Sequence, residues 1–390
     1  MLNTRLAFVS VLTAMLLVAA CSSSKTPGKW TAFNFYTNPD AQINVFSINF
    51  VNDSVGWING YRAPNPSPAG NANANANVSA GKKARPKNAN EQADQTNETN
   101  GGFVVLETKD GGENWRPVPD MVKNRIRSVW FIAPQRGWAV TLDHDILNTT
   151  DGGQTWTMQR KAELVNTQIA EGKFMDMPEQ IEQVRFLDDQ HGYAWGGGQK
   201  MEIEKQGGVK VIAHEYPGIF LMTFDGGANW KKANPYPFDG HIEKTFFLDL
   251  LHAWAHTQDN FYATTDGGLN WTKVETKLPQ PVLDSIFFID EKTGWVVTDG
   301  RIAKTADGGQ TWRKIWEIKD VFKMRDIAFT DASHGWAVGD NGVILYTTDG
   351  ETKWTVVSSP VTAKLTRLTF VGNRGWAVGQ GGVGLRYEAE

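Results

Sequence analysis

GWAVGDNGVILYTTDGETKW, Gly335 to Trp354, joins two signatures that this chain repeats along its length. The first is Gly-Trp opening a short apolar run. The second is Thr-x-Asp-Gly-x-x-x-Trp, which recurs as TTDGGQTW (149–156), TTDGGLNW (264–271) and TADGGQTW (305–312). The second signature occurs six times, with aspartates Asp110, Asp151, Asp225, Asp266, Asp307 and Asp349, each five residues before a Trp. Their steps of 41, 74, 41, 41 and 42 residues define a period near 41. The first signature occurs seven times, at Trp57, Trp138, Tyr193, Trp254, Trp295, Trp336 and Trp376, with drifted copies at Tyr193 and Trp254. A fixed period of this size with about four short strands per unit predicts a β-propeller.

One copy writes out the blade: strand A at 326–329, B at 335–339, C at 342–347, then the Asp turn, then D from Trp354. Asp in such a turn is expected to accept hydrogen bonds from backbone N–H groups two residues on, and Gly supplies the positive φ of a tight hairpin. The Trp folds back over the turn, and burying one such ring is worth at most about 4–6 kcal/mol. In Asp349-Gly350-Glu351 the second Gly is replaced, so that turn should be strained or differently shaped. Seven Gly-Trp units but six Asp turns leave one blade without its D strand, and the chain ends after strands B and C of that blade. Residues 30–36, led by Trp30, read like the missing strand. An all-β, seven-bladed, four-stranded propeller closed by its own N-terminal strand is therefore expected, since closure removes exposed sheet edges.

Composition agrees: 39 Gly and 16 Trp beside a single Cys in 390 residues. A net charge of −4 gives no basic field, which argues against a nucleic-acid partner. Residues 1–20 read as an export signal, with Arg5 before the apolar run Leu6 to Leu17 and small residues before Cys21. Small residues ahead of a lone Cys resemble a bacterial lipoprotein signal, in which Cys21 is lipidated; the alternative is an ordinary secretory peptide. The expected location is the periplasmic side of a membrane, with Ser22 after the Cys pointing to the outer one. Residues 21–29 form the tether, at most about 30 Å long, and the propeller fills 30–390.

Three segments break the period. Residues 64–100 interrupt blade 1 between strands B and C and, nearly devoid of large apolar residues, are expected to be disordered. Residues 160–180 precede blade 3 and have room for a short helix, and residues 199–214 lengthen the B–C hairpin of blade 3. In a propeller the D–A and B–C links share one face, and the A–B and Asp-box turns share the other. All three insertions therefore crowd one face, which reads as a binding face or as a tolerant one. The short tether enters on the opposite, Asp-box face.

GWAVG combined with (S/T)xDGGxxW resembles the Asp-box, or bacterial neuraminidase, repeat superfamily. Within it the chain looks most like the photosystem II assembly and stability factors. The resemblance covers about residues 30–390 and implies a seven-bladed, often lipid-anchored propeller that engages a reaction-centre subunit through an arginine-rich patch. Here the arginines are scattered instead of clustered. The partner implied is an envelope protein, and no cofactor is.

The starts of the A strands should line the channel, placing Arg127, Glu182, Gln183, Glu243, Lys244, Asp284, Arg325, Asp326 and Arg367 around the axis. Arg127, Arg185, Lys244, Arg325 and Arg367 are the candidate partner contacts; the alternative is a solvated channel wall. Glycan binding or sialidase-like hydrolysis is the competing function, with Glu182, Glu243 and Asp284 as candidate carboxylates. Against catalysis, Tyr193 and Tyr346 fall on strand positions and no Arg-Ile-Pro precedes blade 1. The seven His lack metal-ligand spacing, and His191, His252 and His334 read as caps of A–B turns. Gly196-Gly197-Gly198 lies in a hairpin and is no phosphate loop. Excising residues 64–100 should leave the melting temperature nearly unchanged, which differential scanning calorimetry of the two chains would check.

Overall fold

The computed structural model describes residues 28–36, 43–63, 102–118, 125–170, 173–197, 203–204, 210–211, 218–233, 237–276, 283–317 and 322–389. The expected signal segment 1–20, Cys21 with most of the expected tether, the 64–100 insertion and most of 199–214 lie outside the described residues. Seven four-stranded antiparallel sheets follow in order, and the described residues hold two short 3-10 turns and no α-helix. The innermost A strands are Ile43–Phe50, Ile126–Ala133, Ile181–Phe186, Lys244–Phe247, Ser285–Phe288, Met324–Phe329 and Leu365–Val371. The seventh sheet takes its outer strand from the N-terminus. Lys29–Asn34 pairs with Val383–Glu388, from Lys29 opposite Glu388 to Asn34 opposite Val383. Ring closure by residues 30–36 is thus met.

The A strand of every blade carries a Phe at or near its end, and that ring organises the packing. The aromatic residue of each Gly-Trp unit stacks on the Phe of the next blade around the ring. Trp57 lies on Phe131 at 3.8 Å, Trp138 on Phe186 at 3.5 Å, Trp254 on Phe288 at 3.6 Å and Trp295 on Phe329 at 3.7 Å. Tyr193 on Phe247 (4.6 Å) and Trp336 on Phe370 (4.7 Å) are looser, and Trp376 on Phe50 at 3.6 Å joins the last blade to the first. The Gly before the Trp makes room for the Phe of its own blade. A Cβ on Gly294 would sit 2.5 Å from the Phe288 ring, and one on Gly335 2.4 Å from Phe329. The Asp-box Trp of the same blade then meets the Phe edge-on, as Trp312 does Phe288 and Trp354 does Phe329. In the seventh blade, which has no Asp box, Trp30 of the closing strand takes that place against Phe370.

The Asp turns are built differently from the expectation. In all six boxes the Asp carboxylate accepts the backbone N–H four residues on, as in Asn114 N to Asp110 Oδ1 and Thr311 N to Asp307 Oδ1. The Thr hydroxyl donates to the same oxygen and accepts the N–H of the second Gly, as Thr305 does from Gly309 at 2.9 Å. Only the irregular box at Asp349 also uses the N–H two residues on, from Glu351, so it is differently shaped as expected. Side-chain donors from Thr155 and Asn229, joined by backbone N–H groups, hold Asp151 and Asp225 down to about 2. Four of the six boxes are also tied to the blade before them: Trp138, Trp254, Trp295 and Trp376 donate their indole N–H to the carbonyls of Gly226, Gly308, Gly350 and Gly111.

Two further expectations change. Strand C of the quoted blade begins at Ile344, because Asp340–Gly342 form a 3-10 turn. Residues 160–180 hold no helix: Leu164–Ala170 and Lys173–Pro178 pair as a β-hairpin. Its base is pinned by Glu179, fully buried, which takes both Arg160 and Lys232. The hairpin stands in the D–A link, and the small pair Ile203–Glu204 with Lys210–Val211 in the B–C link of blade 3. His191, His252 and His334 do close A–B turns, each with its Nδ1 on an Asp three residues before it.

Phe288→Ala should cost about 3–5 kcal/mol, read from urea unfolding, because the cavity opens between two blades at once. Deleting 29–34 should lower the melting temperature and raise protease sensitivity near Val383–Glu388; an unchanged melt would contradict closure by this strand.

Candidate functional site

The A strands surround an axial cavity of about 620 Å³. Its wall is tiered by distance from the stacked Phe. Side chains three and one residues before that Phe share one side of the strand. Four residues before it, in blades 2, 3 and 6, the pairing register slips and sets one extra residue at the channel rim: Arg127, Glu182 and Arg325. Such bulges re-aim a side chain. Phe46 occupies the same slip in blade 1.

The rim charges neutralise one another. Arg127 Nη2 pairs with Glu182 at 2.9 Å, and Glu182 also contacts His241 Nε2 at 3.1 Å. Burial works to raise the Glu182 carboxyl, but the hydrogen bond from His241 and the charge of Arg127 outweigh it and hold the group below its ordinary value. A general acid for glycoside hydrolysis needs the opposite shift. Arg325 grips Asp340 through Nε and Nη2, both at 2.9 Å, and reaches Asp284 at 3.2 Å. Asp340, in the 3-10 turn of blade 6, carries no sequence signal of its own.

The next tier holds Ser47, Gln183, Lys244, Ser285, Asp326 and Arg367. Burial raises the Asp326 carboxyl, although Arg367, Ser285 Oγ and the amides of Leu368 and Ile327 favour its ionised form. Arg367 donates Nε to the Phe46 carbonyl at 2.6 Å and Nη1 to that of Thr366 at 2.7 Å. Lys244 has no hydrogen bond or ion pair among the described residues, and burial, then Arg367, lower its pKa. Directly opposite it in the sheet is His256, which is 1% exposed.

The tier beyond is aromatic: Trp130, Phe246 and Phe287, with Phe246 and Phe287 5.1 Å apart. Arg185 lies 4.6 Å over Trp130 and 5.6 Å from Phe247, and burial pulls its guanidinium down to about 10. The structure thus brings Arg127, Arg185, Lys244 and Arg367 to one cavity and sets Arg325 at its rim. The aromatic tier was missed in the sequence, where the period-two rule applied to Ser128, Lys244 and Ser285 points to it. Among the described residues no group of three His, Cys, Asp or Glu could hold a metal ion.

Residues 314–389 match the family model described as photosynthesis system II assembly factor YCF48. No curated protein matches the sequence. Among solved structures, YCF48 bound to a D1 peptide is 18% identical, with a TM-score of 0.62 over 95% of this chain and 99% of that one. YCF48 from Cyanidioschyzon merolae is 19% identical, with a TM-score of 0.60 over 92% of this chain and 98% of that one. An ancestral GH74 enzyme gives 12% identity and a TM-score of 0.54 over 88% of this chain and 44% of that one. The expected likeness to Asp-box propellers of the photosystem II assembly factor type is met.

Burial and the charge of Lys244 push the His256 imidazole down to about 4 from 6.5. The unfolded chain therefore takes up a proton that the folded one refuses, so stability is complete above pH 6.5 and falls as pH drops toward 4. The loss should approach about 3 kcal/mol. Urea midpoints of the parent chain and His256→Asn across that window check it, the variant showing the shallower slope.

Proposed function

We propose that this propeller is a non-catalytic, protein-binding assembly or stability factor that receives an extended segment of its partner at the rim of the axial channel. The observation that carries this reading is the open cavity of about 620 Å³, lined by charged side chains of both signs and floored by aromatic rings. A volume of that order suits a ligand of a few residues. The same reading is supported by the structural likeness to YCF48, one structure of which carries a D1 peptide. The partner is an envelope protein. A lipid on Cys21 anchors the chain at the periplasmic side of a membrane, the outer one by the Ser that follows. Lys29, where the described closing strand begins, lies opposite Glu388 at the Asp-box end of the seventh sheet. An anchor there turns the Asp-box face to the lipid and the rim, with its two hairpins, away from it.

Photocrosslinking probes at Lys161 and Asp299, on the rim side, should capture one discrete protein in cells, and probes at Lys109 and Lys292 on the Asp-box side should not. Capture from both sides equally, or from neither, would refute the reading. Glu182→Gln, Glu243→Gln and Asp284→Asn together should leave that capture within about threefold, whereas a glycosidase would lose its activity. Cys21→Ala should move the protein from the membrane to the soluble fraction.

A further inference from the structure

The second tier of the channel contains donors that the fold does not use. Lys244, from blade 4, carries an ammonium without a protein partner among the described residues. Gln183, from blade 3, accepts Ser128 Oγ on Oε1 at 3.2 Å, and its Nε2 has no acceptor among the described residues. Arg367, from blade 7, spends Nε and Nη1 on carbonyls and keeps Nη2. The carboxylates that could answer them are engaged elsewhere. Asp326 takes Ser285 and two amides, Asp284 is bonded to Arg325, and Glu182 is shared by Arg127 and His241. Glu243, the chain neighbour of Lys244, makes no ion pair with it.

We propose that this tier is a carboxylate-binding site, in which Lys244, Gln183 and Arg367 receive one carboxylate of a peptide lying in the channel. The proposal rests on the reading of the channel as a peptide site and names the group that anchors there. A half-buried ammonium facing a guanidinium is costly until an anion arrives, since a buried charge needs a partner. Burial and the facing Arg367 depress the Lys244 pKa against the pull of Asp326, Asp284 and Glu243, and none of those three carboxylates pairs with the ammonium. An arriving carboxylate accepts charge-assisted hydrogen bonds from Lys244 Nζ and Arg367 Nη2 and a neutral one from Gln183 Nε2. Trp130, Phe246 and Phe287 lie beyond the tier and suit an apolar side chain next to the carboxylate. An Asp or Glu side chain and a chain terminus offer the same group, and the rim admits either.

The test titrates the intact chain with three blocked probes, acetyl-Leu-Glu-Leu-amide, acetyl-Leu-Gln-Leu-amide and acetyl-Leu-Gln-Leu with a free terminus, and with inorganic phosphate. The 15Nζ resonance of Lys244, assigned with Lys244→Met, provides the readout. At least one carboxylate probe should bind at least about tenfold more tightly than the fully amidated peptide, in line with a charged hydrogen bond. The carboxylate should also raise the Lys244 pKa, and Lys244→Met should erase the preference. The Glu probe and the free terminus together tell which source of carboxylate fits. Equal binding of all three peptides, or a response to phosphate alone, overturns the proposal. Loss of partner capture at the rim with the carboxylate preference intact would overturn the protein-binding reading and leave the site standing. Partner capture unaffected by Lys244→Met, with no carboxylate preference, would do the reverse.

Discussion

The fold depends on a phenylalanine held between two blades. Phe288 shows the arrangement: Trp254 of the preceding blade stacks on its face, Trp312 of its own blade meets its edge, and Gly294 leaves the space it fills. The same ring position recurs in all seven blades, so each apolar cluster spans a blade boundary. Trp138, Val140 and Ile146 of the second blade, for instance, share one cluster with Ile181, Val184 and Phe186 of the third. A single sheet of four short strands buries too little surface to stand alone. The stacking makes each blade the missing half of its neighbour's core, and the indole N–H bonds to the next Asp box fix the angle between them.

That constraint frees the channel wall. Because the packing is carried by the Phe and the Gly-Trp units, the residues three, four and one before the Phe are released from the repeat. They are also the positions where the seven blades differ most, running through Ser47, Ser128, Gln183, Lys244, Ser285, Asp326 and Arg367 in the second tier. The register slips in blades 2, 3 and 6 then lift Arg127, Glu182 and Arg325 to the rim without disturbing the stack beneath.

Much of this was legible in the sequence because the repeat is spelled in residues with narrow physical roles. The blade count, the closing strand led by Trp30, and the candidates Arg127, Lys244 and Arg367 followed from counting. What escaped detection depends on which partner each group takes, within a turn or in the neighbouring blade. Gly-Trp was read as a strand marker, whereas its Trp belongs to the next blade's core. The Asp carboxylate was assigned the wrong N–H, because Thr supplies the short-range bond and leaves Asp to reach four residues on. The 160–180 segment has room for a helix but pairs as a hairpin. The neutralisation of Arg325 was hidden too, since Asp340 sits in another link of the same blade and Asp284 in the blade before.

The closing strand sets an order of events. Lys29–Asn34 leaves the ribosome before any other described strand, yet its one hydrogen-bonded neighbour among the described strands is Val383–Glu388, the last of them. Trp376 likewise waits to stack on Phe50 and to bond Gly111, both from the first blade. Blades two to six can assemble from local contacts as they emerge, but the ring shuts only when the seventh blade is available, a non-local step that is intrinsically slow. Until then the first blade and the last each show an unpartnered flank, so a folding chain stays open, and exposed to wrong pairing, until the strands of the seventh blade arrive.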